Sequence, residues 1–213
     1  MTAVQNRPAN TLTLREVHEL LDLRRGDSLE FEEKLDLPPL TEQEIEELTQ
    51  LQELYFSYLA DDTLNEGQVK FLFVSPLLKL AGFLSSDIKI NLEENIADIH
   101  VEAEESQVAI KGRMDLLAIR RGTRAPFWIL VVETKGGTGA TSLGMAQLLT
   151  YAYKGIENQE SVWGLATNGE DYQFVFLQRG SPNTYHYLPK LGLLDRRAIH
   201  RLLQVLKSIR ATL

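Results

Sequence analysis

Gly112-Arg-Met-Asp-Leu-Leu-Ala-Ile119 and Phe127-Trp-Ile-Leu-Val-Val-Glu-Thr-Lys135 are the two stretches of this 213-residue chain that decide its fold. Each is an apolar run of strand length that carries charge: Asp115 in the first, and Glu133 with Lys135 at the end of the second. Residues two apart in a strand point to the same side, so Glu133 and Lys135 share one face. A short polar connection allows the two runs to pair as a hairpin, which would place Asp115 beside that face.

Two carboxylates and a lysine at one sheet edge suit a hard divalent cation. Buried charges are costly unless they are paired or coordinate a metal. Mg²⁺ prefers oxygen ligands and binds through one or two carboxylates together with water and phosphate oxygens. We therefore expect Asp115 and Glu133 to hold Mg²⁺, with Mn²⁺ as a substitute. Lys135 would hold the scissile phosphate or orient the attacking water in metal-assisted phosphodiester hydrolysis.

Hydropathy patterns on either side of these strands predict a mixed α/β domain over residues 62–213, with a sheet flanked by helices. The expected strands span about 88–92, 97–104, 107–119, 127–135, 161–167 and 172–178, and the expected helices about 66–82, 141–157 and 195–211. Pro76 should kink or break the first of these helices, and Gly82 should end it.

Residues 1–61 are predicted to be an acidic helical N-terminal extension that packs on this domain. Residues 1–66 hold 16 acidic and 5 basic side chains, whereas the chain from Lys111 onward holds 14 basic and 7 acidic. Capping-box patterns at Thr13 and Thr41 start two helices, and residues 1–10 are expected to be a disordered tail. Because most of the acidic residues lie in the N-terminal part of the chain, the net charge of −8 does not exclude a phosphate ligand for the basic half.

The composition excludes several kinds of site. The chain has no cysteine, which rules out disulfides, thiolate nucleophiles and cysteine-ligated zinc or iron–sulfur centres. Its four histidines are far apart and lack metal-ligand spacing. No secretory signal and no membrane span is visible, so a cytoplasmic location without membrane contact is expected.

The charged residues of the two strands, in their order and spacing, resemble the signature of the restriction-endonuclease-like PD-(D/E)XK nuclease superfamily. Three further motifs resemble the N-terminal nuclease domain of type I restriction R subunits, and together they cover about residues 62–180. They are Asn65-Glu66…Ser75-Pro76…Gly82, the QxxxY motif Gln147-Leu-Leu-Thr-Tyr151, and the TNG hairpin Thr167-Asn-Gly-Glu-Asp-Tyr172.

The resemblance implies a role for each matching residue. Asp115 and Glu133 would bind the metal, Lys135 would be catalytic, and Glu66 would support the metal or its waters. Gln147 and Tyr151, one helical turn apart, would contact nucleic acid or orient ligands. The implied substrate is nucleic acid, with DNA favoured, and a homodimer or a helicase or restriction-complex partner would fit that role.

The sequence departs from this family in two places. Met114 stands where the nominal motif has proline. No Gly-Lys dipeptide occurs, so the GxxxxGK[ST] phosphate loop of an ATP-driven motor is absent and the nuclease-like domain would stand alone. Two alternatives stay open: a non-catalytic nucleic-acid-binding or adaptor module that keeps the fold, and a purely structural α/β protein. It also stays open whether the substrate is single- or double-stranded, and whether it is DNA or RNA.

Overall fold

The computed structural model describes residues 4–61, 64–96, 99–103, 106–122, 127–134, 136 and 144–212. Over these ranges the chain forms one sheet of three strands, one sheet of eight strands, and helices that cover them. The strands are β1 (Val4–Pro8), β2 (Leu23–Arg25), β3 (Ile88–Asn95), β4 (Ile99–Ala103), β5 (Ser106–Lys111), β6 (Arg113–Arg120), β7 (Phe127–Thr134), β8 (Ser161–Thr167), β9 (Asp171–Gln178), β10 (Asn183–Tyr187) and β11 (Leu191–Gly192). The helices are α1 (Leu14–Leu20), α2 (Glu42–Asp61), α3 (Glu66–Gln68), α4 (Ser75–Leu80), α5 (Met145–Ile156) and α6 (Arg196–Ala211), with a π-helical segment Val69–Val74 between α3 and α4.

The larger sheet has the order β2-β10-β9-β8-β7-β6-β3, and β11 pairs with β9. Strand β6 pairs antiparallel with both β3 and β7, and β8 then returns parallel to β7 after the crossover through α5. A parallel return of this kind needs a crossover element, and α5 supplies it. The arrangement confirms the predicted fold class, a mixed sheet flanked by helices, and is consistent with a restriction-endonuclease-like fold.

Alternating side chains of the larger sheet belong to two hydrophobic cores, one on each face of the sheet. Trp163 and Leu165 of β8 pack towards α2, α4 and α6 on one face. Val162 and Ala166 of the same strand pack towards α1, α5 and the smaller sheet on the other face. The period of two in β8 therefore places helices on both sides, as expected for a central strand that is buried on each face.

The N-terminal segment contributes a strand to each sheet. The expectation of a disordered tail over residues 1–10 was wrong for residues 4–10, because β1 pairs in parallel with β5 of the smaller sheet and a short 3-10 helix follows it; residues 1–3 lie outside the described residues. Strand β2 pairs in parallel with β10 at the edge of the larger sheet. Both predicted capping boxes are confirmed: the Thr13 and Thr41 hydroxyls accept from the backbone N–H three residues later, at 3.3 and 3.2 Å. The boundary at residue 61 stays a prediction.

The single strand predicted over residues 107–119 is two strands in different sheets. The chain leaves the smaller sheet after β5 and enters the larger sheet at β6, with Gly112 between them. A Cβ atom at Gly112 would lie 2.7 Å from Tyr151 and 3.0 Å from the Cβ of Ala9. The apolar pattern continues across the break because both sheets bury residues against α5, so the pattern alone does not reveal the crossing.

The helix predicted over residues 66–82 forms, but Pro76 does not break it. The π-helical segment precedes the proline, and the N–H of Ser75 bonds to the carbonyl of Lys70, five residues back. Pro76 then occupies the first turn of α4, where a missing N–H is tolerated. The predicted stop at Gly82 is confirmed: its φ is +84°, and Phe83 donates to the carbonyl of Leu78 as in a Schellman motif.

The predicted TNG hairpin connects β8 to β9. The side chain of Asn168 accepts from the backbone N–H groups of Glu170 and Asp171, at 3.1 and 2.8 Å. Gly169 has a φ of +94°, and a Cβ there would lie 3.2 Å from Val69. The motif therefore forms a tight turn that packs against the π-helical segment. No helix in the described part of the chain is long and apolar enough to cross a membrane.

Candidate active site

A polar cleft of about 870 Å³ lies where the two sheets, the π-helical segment and α5 meet. It contains five of the six predicted site residues, which reach it from four separate segments of the chain. Its lining is Pro8, Asn10, Glu66, Lys70, Glu93, Asn95, Ile96, Lys111, Gly112, Arg113, Asp115, Glu133, Gln147 and Tyr151. The sixth, Lys135, lies outside the described residues, as does the Gly-rich stretch 137–143.

Asp115 is anchored to the neighbouring strand through one carboxylate oxygen. Strand pairing sets Leu116 of β6 opposite Val132 of β7, which brings Asp115 to the end of β7 as the hairpin prediction required. The backbone N–H and the hydroxyl of Thr134 both donate to Asp115 Oδ2, each at 2.7 Å. The other oxygen, Oδ1, is 3.3 Å from the Nζ of Lys70. Thr134 thus holds the Asp115 carboxylate in one orientation, with Oδ1 near the Lys70 ammonium group.

Glu133 places a second carboxylate in the same cleft and is 1% exposed. Burial raises the pKa of Tyr151 to about 12, and the negative charge of Glu133 adds to that rise. Hydrogen bonds that the Tyr151 oxygen accepts from Gln147 and from the backbone N–H of Arg113 oppose it. Tyr151 therefore keeps its phenolic proton at neutral pH and remains a hydrogen-bond donor beside Glu133.

Gln147 and Tyr151 lie one turn apart on α5 and both line the cleft. The Nε2 of Gln147 donates to the Tyr151 hydroxyl oxygen at 2.8 Å. Because Gly112 has no side chain, the Tyr151 ring can approach the β5–β6 junction closely. The two residues predicted to orient ligands therefore form one hydrogen-bonded pair, which packs against β6, the strand that carries Asp115.

Glu66 reaches the cleft from the start of α3. Asn65 caps this short helix by accepting from the backbone N–H of Gln68 at 2.9 Å. The chain just after β7 holds the helix start in place: a Cβ atom on Gly136 would lie 2.9 Å from the backbone nitrogen of Glu66 and 3.0 Å from the carbonyl oxygen of Leu64. The end of the Glu133 strand and the start of the Glu66 helix are therefore in direct backbone contact.

Two residues of the cleft were missed by the sequence analysis. Lys70, on the π-helical segment, forms ion pairs with both Asp115 and Glu93. Arg113 pairs with the other oxygen of Glu93 at 2.9 Å. Glu93 has a φ of +54°, a left-handed conformation that is strained for a residue with a side chain and that tends to occur at functional sites. Neither Lys70 nor Glu93 carries a signal in the sequence, since both depend on the tertiary approach of the π-helical segment to β3.

The donor set suits a hard cation that is bound by few protein ligands. Within the described ranges, no three His, Asp or Glu side chains are grouped closely enough to hold a metal ion together. Asp115 and Glu133 offer carboxylate oxygens from the paired strands β6 and β7, which matches the one or two carboxylates that Mg²⁺ takes with water. Glu66 fits the role expected for it when it acts through a water molecule.

Comparisons with known proteins show a structural likeness. No protein-family model matches the sequence, and no curated protein matches it. Among solved structures, the chain is similar to a fragment of a putative HsdR subunit of a type I restriction enzyme from Vibrio vulnificus YJ016, at 21% identity and a TM-score of 0.41. The match covers 67% of this chain and 26% of that one, so the matched part of this chain spans about a quarter of the length of that fragment.

Proposed function

We propose that this protein is a metal-dependent nuclease that hydrolyses phosphodiester bonds in DNA, in the manner of the nuclease domain of type I restriction R subunits. The observation that carries the proposal is the convergence of Asp115 and Glu133, from paired strands, in a polar cleft. Glu133 is 1% exposed, and a buried carboxylate needs a positive charge or a hydrogen-bond donor near it.

The charged side chains that line the cleft support a cation as one of its ligands. The described lining holds four carboxylates, Glu66, Glu93, Asp115 and Glu133, against three basic side chains, Lys70, Lys111 and Arg113. With Lys135, which is predicted to lie at the same site, the two signs would balance, so a phosphate would meet no net positive charge. One divalent cation would give the cleft a net positive charge and make it attractive to a phosphodiester.

Each residue has a distinct task under this proposal. Asp115 and Glu133 would hold the cation, which would supply Lewis acidity when bound. Thr134 fixes the Asp115 carboxylate by donating two hydrogen bonds to Oδ2. Tyr151, kept protonated, donates towards Glu133 or a phosphate oxygen. Lys135 remains predicted to position the attacking water.

The direct test is incubation of the protein with circular single-stranded DNA and with supercoiled duplex DNA, in the presence of Mg²⁺, Mn²⁺ or EDTA. We expect nicking or linearisation with either metal and none with EDTA. A parallel reaction with a single-stranded RNA of similar length identifies the preferred sugar. Absence of cleavage of every substrate with both metals would contradict the proposal.

One observation favours the second candidate, a nucleic-acid-binding module without catalysis. Both oxygens of Asp115 have partners within the protein: Thr134 on Oδ2 and Lys70 near Oδ1. If Lys70 were the permanent counter-ion of Asp115, DNA would bind equally well with Mg²⁺ and with EDTA, and no cleavage would follow. A binding titration under both conditions, run beside the cleavage assay, separates the two functions.

A further inference from the structure

We propose that an apolar groove beside the cleft binds an unpaired nucleobase of the substrate, so that the enzyme acts on single-stranded or locally opened nucleic acid. The inference rests on the proposed function and deepens it, because it names the substrate form. It starts from a second cavity, of about 430 Å³, whose walls are mainly apolar. These walls are Gly67, Lys70, Phe71, Ser75, Leu78, Leu84, Ile90, Leu92, Glu93, Asp115 and Leu116.

The groove exposes large apolar side chains. Phe71 is 76% exposed, Leu92 62% and Leu84 56%, although the same segments also bury other large side chains fully. Phe71 belongs to the π-helical segment, Leu92 to β3, and Leu84 to the connection before β3. Apolar side chains from three segments that gather around one groove mark a binding surface more often than isolated exposed residues do.

The groove is continuous with the cleft. Lys70, Glu93 and Asp115 belong to the walls of both, so the carboxylate assigned to the metal lies at the seam between them. Phe71 follows Lys70 directly on the π-helical segment. Both residues line the groove, so an aromatic ring and an ammonium group are available to one ligand there.

A nucleotide combines the two chemistries that this surface offers. Its base is flat and apolar on both faces, and its phosphate is anionic, with the sugar between them. A base in the groove would lie against Phe71 while the attached phosphate reached Lys70 and the metal ligands. Aromatic side chains bind unpaired bases by stacking, and they do so without strong sequence preference. A base that is stacked and paired within a duplex has no free face to offer, so the groove selects an unpaired one.

The test compares Phe71→Ala with Phe56→Ala as a matched control. Phe56 is a 55% exposed phenylalanine on α2 that lines neither the groove nor the cleft. A third variant, Phe71→Trp, keeps an aromatic face. Binding is followed by fluorescence anisotropy in EDTA, so that no cleavage occurs, with three labelled probes: a single-stranded oligothymidylate, an abasic strand with the same number of phosphates, and a duplex.

We expect the wild-type protein to bind the oligothymidylate about tenfold more tightly than the abasic strand, and the duplex no better than the abasic strand. Phe71→Ala should remove this preference, while Phe56→Ala and Phe71→Trp should retain it. Equal affinity of the wild-type protein for base-containing and abasic strands, or a preference unchanged in Phe71→Ala, would overturn the base site.

The outcomes separate this inference from the proposed function. Metal-dependent cleavage without a base preference would overturn the base site and leave the nuclease intact. A base preference without cleavage would support the base site and overturn catalysis. Sedimentation of the wild-type protein and of Phe71→Ala is the remaining measurement. If the wild-type protein is a dimer, and Phe71→Ala dissociates it without changing the base preference, the groove binds a second copy of the chain. That result would overturn the inference.

Discussion

Contacts at both carboxylate oxygens hold Asp115 in place. One oxygen is held by two hydrogen bonds from Thr134, and the other meets Lys70 at the seam of cleft and groove. The side chain is 13% exposed, so its orientation is set by the protein rather than by solvent. Because the protein already orders this side chain, a ligand that binds one of its oxygens does not add the entropic cost of ordering it.

Replacing Asp115 by alanine should abolish metal-dependent cleavage. The change also removes the acceptor of the Thr134 N–H and hydroxyl, which costs about 1–3 kcal/mol of folding stability. Asp115→Asn keeps an acceptor for Thr134 but removes the charge, so it should lose cleavage with a smaller loss of stability. Cleavage rates and urea unfolding midpoints check both expectations, with the exposed Glu53→Gln as the control. Full Mg²⁺-dependent activity in Asp115→Ala would refute the site.

Lys70 should compete with the metal for Asp115. Removing its charge with Lys70→Met should tighten Mn²⁺ binding without DNA by a few-fold, because the lost partly exposed ion pair is worth about 1 kcal/mol. The same change should weaken binding of single-stranded DNA, since one phosphate-attracting charge is gone. The matched control is the exposed Lys79→Met on α4. Weaker Mn²⁺ binding in Lys70→Met would show that the lysine does not occupy the cation's place.

The carboxylates could be found from the sequence, but their surroundings could not. Asp115 and Glu133 interrupt apolar strands, and that interruption is visible in a linear pattern. Lys70 lies in a segment whose apolar residues read as an ordinary helix, and Glu93 owes its role to an unusual backbone conformation. Both acquire their position from packing between segments more than 20 residues apart in the chain.

At the scale of elements, the site depends on how β7 and α3 meet. Gly136 lies against the backbone of residues 64–66, at distances that leave no room for a Cβ atom. Glu133 and Glu66 are therefore placed relative to each other by a close approach of two backbones.

Gly136→Ala should disturb this approach. The added methyl group would lie about 3 Å from three backbone atoms, which cannot move as a flexible side chain would. We expect a loss of stability of about 1–3 kcal/mol, typical of overpacking, together with reduced cleavage. Gly192→Ala is the matched control, because nothing lies within 4 Å of a Cβ there. Equal stability and activity of the two variants would show that the contact is unimportant.

The start of α1 should give the protein an acid-sensitive contribution to stability. The backbone N–H of Thr13 donates to the Glu16 carboxylate and is the main reason that the pKa of Glu16 is lowered to about 2, with Arg7 on β1 adding to the effect. Because the folded pKa is below the unfolded one, this stabilisation is complete above about pH 4.5 and is lost as the pH falls towards 2.

Glu16→Gln lacks this titration and provides the comparison. The difference in urea midpoint between the wild-type protein and the variant should be constant above about pH 5 and should shrink between pH 4.5 and 2. Other acidic groups titrate in both proteins, so taking the difference removes them. A difference that grows on acidification would contradict the assignment.

Secondary structure was predictable where local rules are strong. The capping boxes, the glycine stop and the TNG turn rest on hydrogen bonds between near neighbours, and each formed as expected. The parallel pairing of β1 with β5 joins residues about 100 apart, and no local pattern encodes it. The crossing between sheets at Gly112 escaped prediction for the same reason.

At the scale of the whole molecule, the acidic and basic regions of the sequence partly neutralise each other. The basic face of α6 meets acidic residues: Arg201 pairs with Glu32, Lys207 with Glu44, and Arg210 with Asp87. The N-terminal segment thus packs against the C-terminal helix. The basic side chains that line the cleft, Lys70 among them, come from segments other than α6. The ion pairs of α6 therefore lie outside the cleft.

The cleft itself is a product of the whole chain, because strands from both sheets, the π-helical segment and α5 all reach it. The central claim is that Asp115 and Glu133 together hold one divalent cation there. The measurement that tests it most directly is a Mn²⁺ titration followed by electron paramagnetic resonance on the wild-type protein, Asp115→Asn and Glu133→Gln. The account predicts one Mn²⁺ per wild-type chain and loss of that site in each variant. Binding that persists unchanged in either variant would contradict it.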